Sequence, residues 1–141
     1  MATRRRHSFY SGVGEDMSSR LPRKQRLRLY KAPLHTRHKH MAAPLSLELR
    51  QKYGFRSLPV RKGDKIKVFR GDFVGLEGDV TGVDTKHYRI EVAGASVAKA
   101  DGTQVPRSIS PSNVVILKLK EDKERDKVLE RRSKVGEKRP E

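Results

Sequence analysis

The chain has 141 residues, of which 33 are Lys or Arg and 17 are Asp or Glu, a formal charge of +16 at pH 7. Only 34% is hydrophobic and 35% is charged, so a core cannot run the whole length, and one compact module with extended arms is expected. The absence of cysteine excludes disulfides and cysteine-based zinc sites and fits an intracellular protein. Aromatic content of 6% without tryptophan argues against a protein built mainly on base stacking, and the excess positive charge points to a polyanionic partner.

Charge is uneven along the chain. Residues 1–59 hold 14 Lys/Arg and 3 Asp/Glu, residues 60–118 hold 10 and 7, and residues 119–141 hold 9 and 7. The excess therefore sits N-terminal to the part that reads as foldable. Residues 1–20 form a flexible basic leader with no hydrophobic periodicity, expected to order only on a partner. The leader is Arg- and Ser-rich in the manner of a mitochondrial presequence, but Glu15 and Asp16 interrupt it and no apolar helical face appears. No apolar run reaches the roughly 18 residues of a membrane span, so no membrane insertion is expected.

Residues 21–59 read as a basic arm with short helices. Arg23, Lys24, Arg26, Arg28, Lys31, His35, Arg37, His38 and Lys39 crowd between Pro22, Pro33 and Pro44. Each proline disfavours helix in the residue before it, so helical turns joined by kinks are expected. Ser46 offers an N-cap, Glu48 lies in the first turn, and Gly54 suits the position after the last turn, which predicts a short helix over Leu47 to Tyr53 containing Arg50.

Over residues 60–118 the period becomes two. Ile66 and Val68 alternate with Lys65 and Lys67; Leu76, Gly78 and Val80 alternate with Glu77, Asp79 and Thr81; Tyr88, Ile90 and Val92 alternate with Arg89 and Glu91. Val83 is out of phase, which predicts a bulge or bend at Gly82. Ser96 to Ala98 and Gln104 to Val105 are weaker strands around Asp101-Gly102, and Asn113 to Leu119 is a β-branched run. The expected class is mainly β: a small antiparallel barrel, preceded by the basic arm and followed by a charged C-terminal helix and tail over residues 119–141. Glu121 to Lys134 carries acids first and bases last, with Glu121–Arg125 and Glu130–Lys134 as i,i+4 pairs. With little apolar content beyond Val128 and Leu129, this helix is expected to need a partner surface, and Val135 to Glu141 are expected to fray.

The segment Lys62 to Val80, KGDKIKVFRGDFVGLEGDV, places Gly71, Gly75 and Gly78 after a strand. Turn chemistry accounts for such glycines. The spacing is not G-x-G-x-x-G, no helix pattern follows, and no Gly-Lys-Ser/Thr closes a phosphate loop. With its flanks, the segment resembles the KOW motif, through Lys62-Gly63-Asp64, the strand Ile66 to Phe69, Gly71, Gly78, and the valines at 80 and 83. That motif builds part of an SH3-like barrel in ribosomal, transcription-elongation and RNA-processing proteins.

A collinear set narrows the choice. Arg23-Lys24-Gln25-Arg26, Ala32-Pro33-Leu34-His35, Arg37-His38-Lys39, Leu45-Ser46, Glu48-Leu49-Arg50, Lys52-Tyr53-Gly54, Arg56-Ser57-Leu58-Pro59-Val60-Arg61, Ala100-Asp101-Gly102-Thr103 and Pro111-Ser112-Asn113-Val114 resemble the archaeal and eukaryotic form of large-subunit ribosomal protein twenty-four. The eukaryotic name for this family is large-subunit protein twenty-six. The resemblance covers about residues 21–130; the leader has no counterpart in the family pattern, and Gly75-Leu76-Glu77 with Asp79 is more apolar and acidic than the usual loop. It implies an SH3-like KOW fold and a cytoplasmic, non-catalytic constituent of the large subunit. Such a protein binds its rRNA early in assembly, stays near the exit tunnel rim, contacts neighbouring ribosomal proteins and is not an independent homo-oligomer. A KOW-containing elongation or RNA-processing factor is the alternative.

Candidate RNA contacts are the arm cations named above, with Arg50, Arg61, Lys62, Lys65, Lys67 and Arg70, and with Phe73 on the turn as a candidate base stack. Lys62, Lys65, Lys67 and Arg70 fit the polar face of a strand as well, and Phe69 and Tyr88 fit barrel packing. His35, His38 and His40 lack a carboxylate nearby and sit among cations, which disfavours a metal. Asp64, Asp72, Asp79 and Asp84 lie near turns without a base or nucleophile at a specifying distance, so neither enzymatic activity nor a cofactor is expected.

Overall fold

The computed structural model describes residues 20–136, with side chains through Ser133. The expectations for the leader before Arg20, for the Glu130–Lys134 pair and for the end of the tail lie outside this range. Two helices come first, α1 (Pro22–Lys31) and α2 (Leu34–His40), broken at Ala32-Pro33. Pro22 stands at the start of α1, where a missing N–H costs nothing, and the extended conformations of Ala32 and Pro33 end it.

A short pair, β1 (Ala42–Pro44) and β2 (Ser57–Pro59), brackets α3 (Leu47–Tyr53). The predicted caps of α3 are both present: Ser46 Oγ accepts from the Leu49 N–H at 3.4 Å, and Gly54 takes φ of 73° while its N–H donates to Arg50. The four-stranded antiparallel sheet follows, in the order β5 (Arg89–Val92), β4 (Glu77–Asp84), β3 (Lys65–Val68), β8 (Val114–Lys118). β6 (Ser96–Ala98) and β7 (Gln104–Pro106) form a separate exposed hairpin. Pairing of β4 with β5 slips between Val80 and Gly82, the bulge that the misplaced Val83 predicts.

Helix and strand contribute almost equally, about 33% and 31%, so the chain is mixed α and β rather than mainly β. The strands describe no closed ring among the described residues. Each end strand is extended by a single bridge: Ile90 of β5 and Ile109 exchange backbone hydrogen bonds at 2.9 and 2.8 Å, and Leu45 runs parallel to Ile116 of β8.

Ile66, Val68, Val80, Ile90, Val92, Val114 and Ile116 point to one interior. Met41, Ala43, Leu45 and Leu58, all before residue 60, complete the same core. Each fully buried aliphatic side chain contributes about 1.5–3 kcal/mol. The glycine at 78 allows the close packing of β4: a Cβ there would stand 2.5 Å from the Ala93 carbonyl oxygen.

Helix α4 (Lys123–Gly136) lies on this core instead of awaiting a partner. Leu129 is buried, and Arg125, 2% exposed, meets Asp64, which is fully buried. Arg125 Nη2 donates to Asp64 Oδ2 at 2.8 Å and to the Pro59 carbonyl at 3.2 Å, while Nη1 bonds Oδ1. The Asp64 carboxylate also accepts from the N–H groups of Arg61 at 2.9 Å and Lys120 at 3.0 Å. Arg125 is thus the anchor of α4, not the partner of Glu121. Phe69 departs from expectation too: it follows the inward Val68 and is 46% exposed.

Candidate nucleic-acid interface

Between Asp16 and Glu48 the chain contains no acidic residue. Helices α1 and α2 therefore carry Arg and Lys and no carboxylate, and neither helix buries a residue. Lys24, Arg28 and Lys31 recur at i, i+4 and i+7 along one side of α1. Arg23, Arg26, Lys31, His35, His38 and Lys39 are exposed, and Arg28 is half-buried.

This basic surface is tied together at the α1–α2 joint and to the turn between β4 and β5. Arg37 Nε donates to the Ala32 carbonyl at 2.7 Å and its Nη2 to the Tyr30 carbonyl at 2.9 Å, so one guanidinium satisfies the open end of α1. Its carbon lies 5.8 Å from the centre of the Tyr88 ring, and Nη1 reaches the Lys86 carbonyl at 3.4 Å. Tyr88, with φ of 56° just before β5, donates its hydroxyl to the Leu29 carbonyl at 2.9 Å. His40 packs edge-on against the same ring, 6.0 Å between centroids. Burial, and then the positive charge of Arg28, hold the His40 imidazole below its ordinary pKa.

Several of the candidate cations have intramolecular duties. Arg37 closes α1; Arg50 Nε donates to the Leu45 carbonyl at 2.7 Å; Arg61 pairs with Asp122; and Lys67 Nζ lies 2.9 Å from Glu77 Oε1. The hydrogen bond and charge of Lys67 lower the Glu77 pKa. Lys65 faces Asp79 across one strand boundary and Lys118 across the other. The outer sheet face is therefore charge-balanced along β3 and β4, and most of the positive excess lies before residue 60. Lys62 and Arg70 are exposed in the loops flanking β3, and Phe73 is half-buried against the core.

Tyr88 packs partly against the core, as its pattern predicts, but no sequence pattern shows its hydrogen bond to α1. Its place in an alternating run suggested a strand, and only the proximity of α1 gives its hydroxyl an acceptor. No group of three or more His, Asp or Glu gathers as a metal site among the described residues, and no helix there is long and apolar enough to cross a membrane.

The family model for ribosomal proteins L26 of eukaryotes and L24 of archaea matches residues 19–132, spanning the helices, the core and most of α4. The chain belongs to this family, uL24. It is 56% identical over 117 residues to the large ribosomal subunit protein uL24 of Korarchaeum cryptofilum, covering 82% of this chain and 89% of that protein. The uL24 protein of Methanothrix thermoacetophila is 54% identical over 116 residues, 82% of this chain and all of the relative. That of Methanosphaera stadtmanae is 51% identical over 107 residues, 76% and 92% of the two chains. As a uL24 protein, the chain is a non-enzymatic structural constituent of the large ribosomal subunit and works in the cytoplasm. The elongation-factor alternative gives way to this match.

Proposed function

We propose that this uL24 chain binds large-subunit rRNA through the basic surface of α1 and α2, with the β-sheet body as the rigid mount, and that it does so early in subunit assembly, near the exit tunnel rim. The body would correspond to the SH3-like barrel of KOW proteins, with β5 extended by the Ile90–Ile109 bridge and β8 by the Leu45–Ile116 bridge. The observation that carries the reading is the acid-free stretch between Asp16 and Glu48, displayed on two helices that are clasped by Arg37 and Tyr88. A self-repelling cation cluster gathered on two docked helices is stabilised by phosphates placed against it. Lys62, Lys65, Arg70 and Phe73 would add contacts from the body, and neighbouring ribosomal proteins would meet the surfaces that RNA leaves open.

Cosedimentation of the chain with large subunits at moderate and high salt tests the reading, together with the triple variant Lys24→Gln/Arg26→Gln/Arg28→Gln. Retention in the large subunit and a flatter salt dependence of RNA binding for the variant are expected, by about 0.7–0.9 in log–log slope for each phosphate that the variant no longer neutralises. An unchanged slope would remove the helices as the electrostatic anchor.

A further inference from the structure

A second concentration of arginine lies on the body, at the end of the sheet formed by the β3–β4 turn and the strand ends near residue 109. A cleft of about 170 Å³ is lined there by Arg70, Arg89 and Arg107, with Asp72, Phe73 and Asn113 among its walls. The three arginines come from separate places in the chain: just after β3, the first residue of β5, and just after β7. Three guanidinium groups against one carboxylate leave the lining at a net charge of +2.

Nothing within the described residues discharges them. None of the three takes part in an ion pair or a side-chain hydrogen bond there. Asp84, the residue across from Arg89 in the β4–β5 register, is already engaged: its Oδ2 lies 2.6 Å from His87 Nδ1, and its Oδ1 accepts from the N–H groups of Lys86 and His87. Lys67 already occupies Glu77.

The backbone around the cleft is fixed. Phe69 N–H donates to Asn113 at 3.0 Å, Gly75 N–H to Val68 at 2.9 Å, Arg107 N–H to Ala95 at 2.8 Å, and Ile90 and Ile109 bond reciprocally. Like charges held together by a rigid frame, in a concavity rather than on a convex surface, are complementary to an anion.

The size of the cleft selects the anion. At about 170 Å³ it is well below the roughly 300–1,000 Å³ of small-molecule sites, but it has room for one tetrahedral oxyanion with part of a neighbouring sugar. Guanidinium forks match phosphate oxygens in pairs, and the half-buried Phe73 ring offers an apolar wall for the ribose or base. We infer that this cleft is a binding site for a single RNA phosphodiester, a second anchor at the sheet end that works beside the α1–α2 surface; it rests on the RNA-binding reading above. Arg89 and Arg107 thereby acquire a role that neither their places at strand ends nor the KOW segment indicates.

The test has two arms. In the first, the full chain labelled with ¹⁵N is titrated with the dinucleotide UpU and, separately, with inorganic phosphate, and the arginine Nε–Hε resonances are followed by NMR. Saturable shifts of Arg70, Arg89 and Arg107 with UpU, larger than those of Arg23 and Arg26, are expected. Shifts no larger than those of Arg23 and Arg26 overturn the site, as does a response to inorganic phosphate alone.

In the second arm, the triple variant Arg70→Gln/Arg89→Gln/Arg107→Gln and the α1 triple variant are compared for binding to a large-subunit rRNA transcript between 50 and 200 mM salt. The cleft variant is expected to bind about tenfold more weakly, with a salt slope reduced by about one phosphate. If only the α1 variant loses affinity, the cleft inference falls and the RNA reading stands; if neither does, both fall. The circular dichroism and urea midpoint of the cleft variant check that its fold is intact, and the NMR arm stands without any variant.

Discussion

The Tyr88 hydroxyl donates to the carbonyl of Leu29 at 2.9 Å, joining the β4–β5 turn to a helix that lies 59 residues earlier in the chain. Together with Arg37, which closes the end of α1 and lies over the same tyrosine ring, this bond orients a helix with no buried residue of its own. Tyr88→Phe keeps the ring and removes only the donor. A loss of about 1 kcal/mol in the docking of α1 is expected, read by hydrogen exchange as faster exchange of α1 amides with little change in β3 and β4.

Breaking the Asp64–Arg125 pair should cost far more. Each partner is nearly inaccessible, so Asp64→Asn or Arg125→Met leaves an uncompensated buried group and is expected to destabilise the chain by about 3–5 kcal/mol in urea unfolding. The double variant should lose clearly less than the sum of the two, since both substitutions remove one interaction. Additive losses would mean that the two side chains act independently.

Gly78 has its constraint in space rather than in φ. An alanine Cβ at this position meets the Ala93 carbonyl oxygen at 2.5 Å and Val92 Cγ1 at 3.2 Å, so β4 and β5 must separate. A destabilisation of about 1–3 kcal/mol is expected for Gly78→Ala, with the largest amide shifts at Ala93 and its β4 partners. An unchanged unfolding midpoint would show that the strands yield without cost.

His40 predicts a pH dependence whose sign follows from its lowered pKa. The fold favours the neutral imidazole, which lies beside Arg28, Arg37 and the Tyr88 ring. The unfolded chain therefore binds more protons between the folded pKa and the ordinary value near 6.5. This contribution to stability is complete above that value and declines as pH falls below it. Unfolding midpoints measured from pH 7.5 to 5.5 should fall less steeply for His40→Asn than for the parent chain. The lowered pKa values of Glu77 and Asp84 act below this window, where the carboxylates protonate.

Where a signal was local, the sequence revealed it. The alternation of Ile66 and Val68 with lysines defined β3, Ser46 and Gly54 bounded α3, and the phase slip at Val83 announced the bulge. The strands β1 and β2 have no local signal because each has three residues ending in proline, too short for a period to show. Their side chains nonetheless finish the core. The sequence of α4 shows no anchor of its own because that anchor is a charged residue, and only the fold brings Arg125 to Asp64. The basic arm was legible from composition alone. The division of its cations between those engaged within the chain, such as Arg37, and those facing outward was not, because the acceptors are backbone carbonyls.

The clasp on α1 makes the strength of any grip on that helix depend on a residue that carries no charge. If the helix is docked for only a fraction of the time, the apparent affinity of a partner falls by that fraction. Tyr88 therefore works as a volume control: altering it would retune binding while leaving every cation, and hence the electrostatic attraction at a distance, in place.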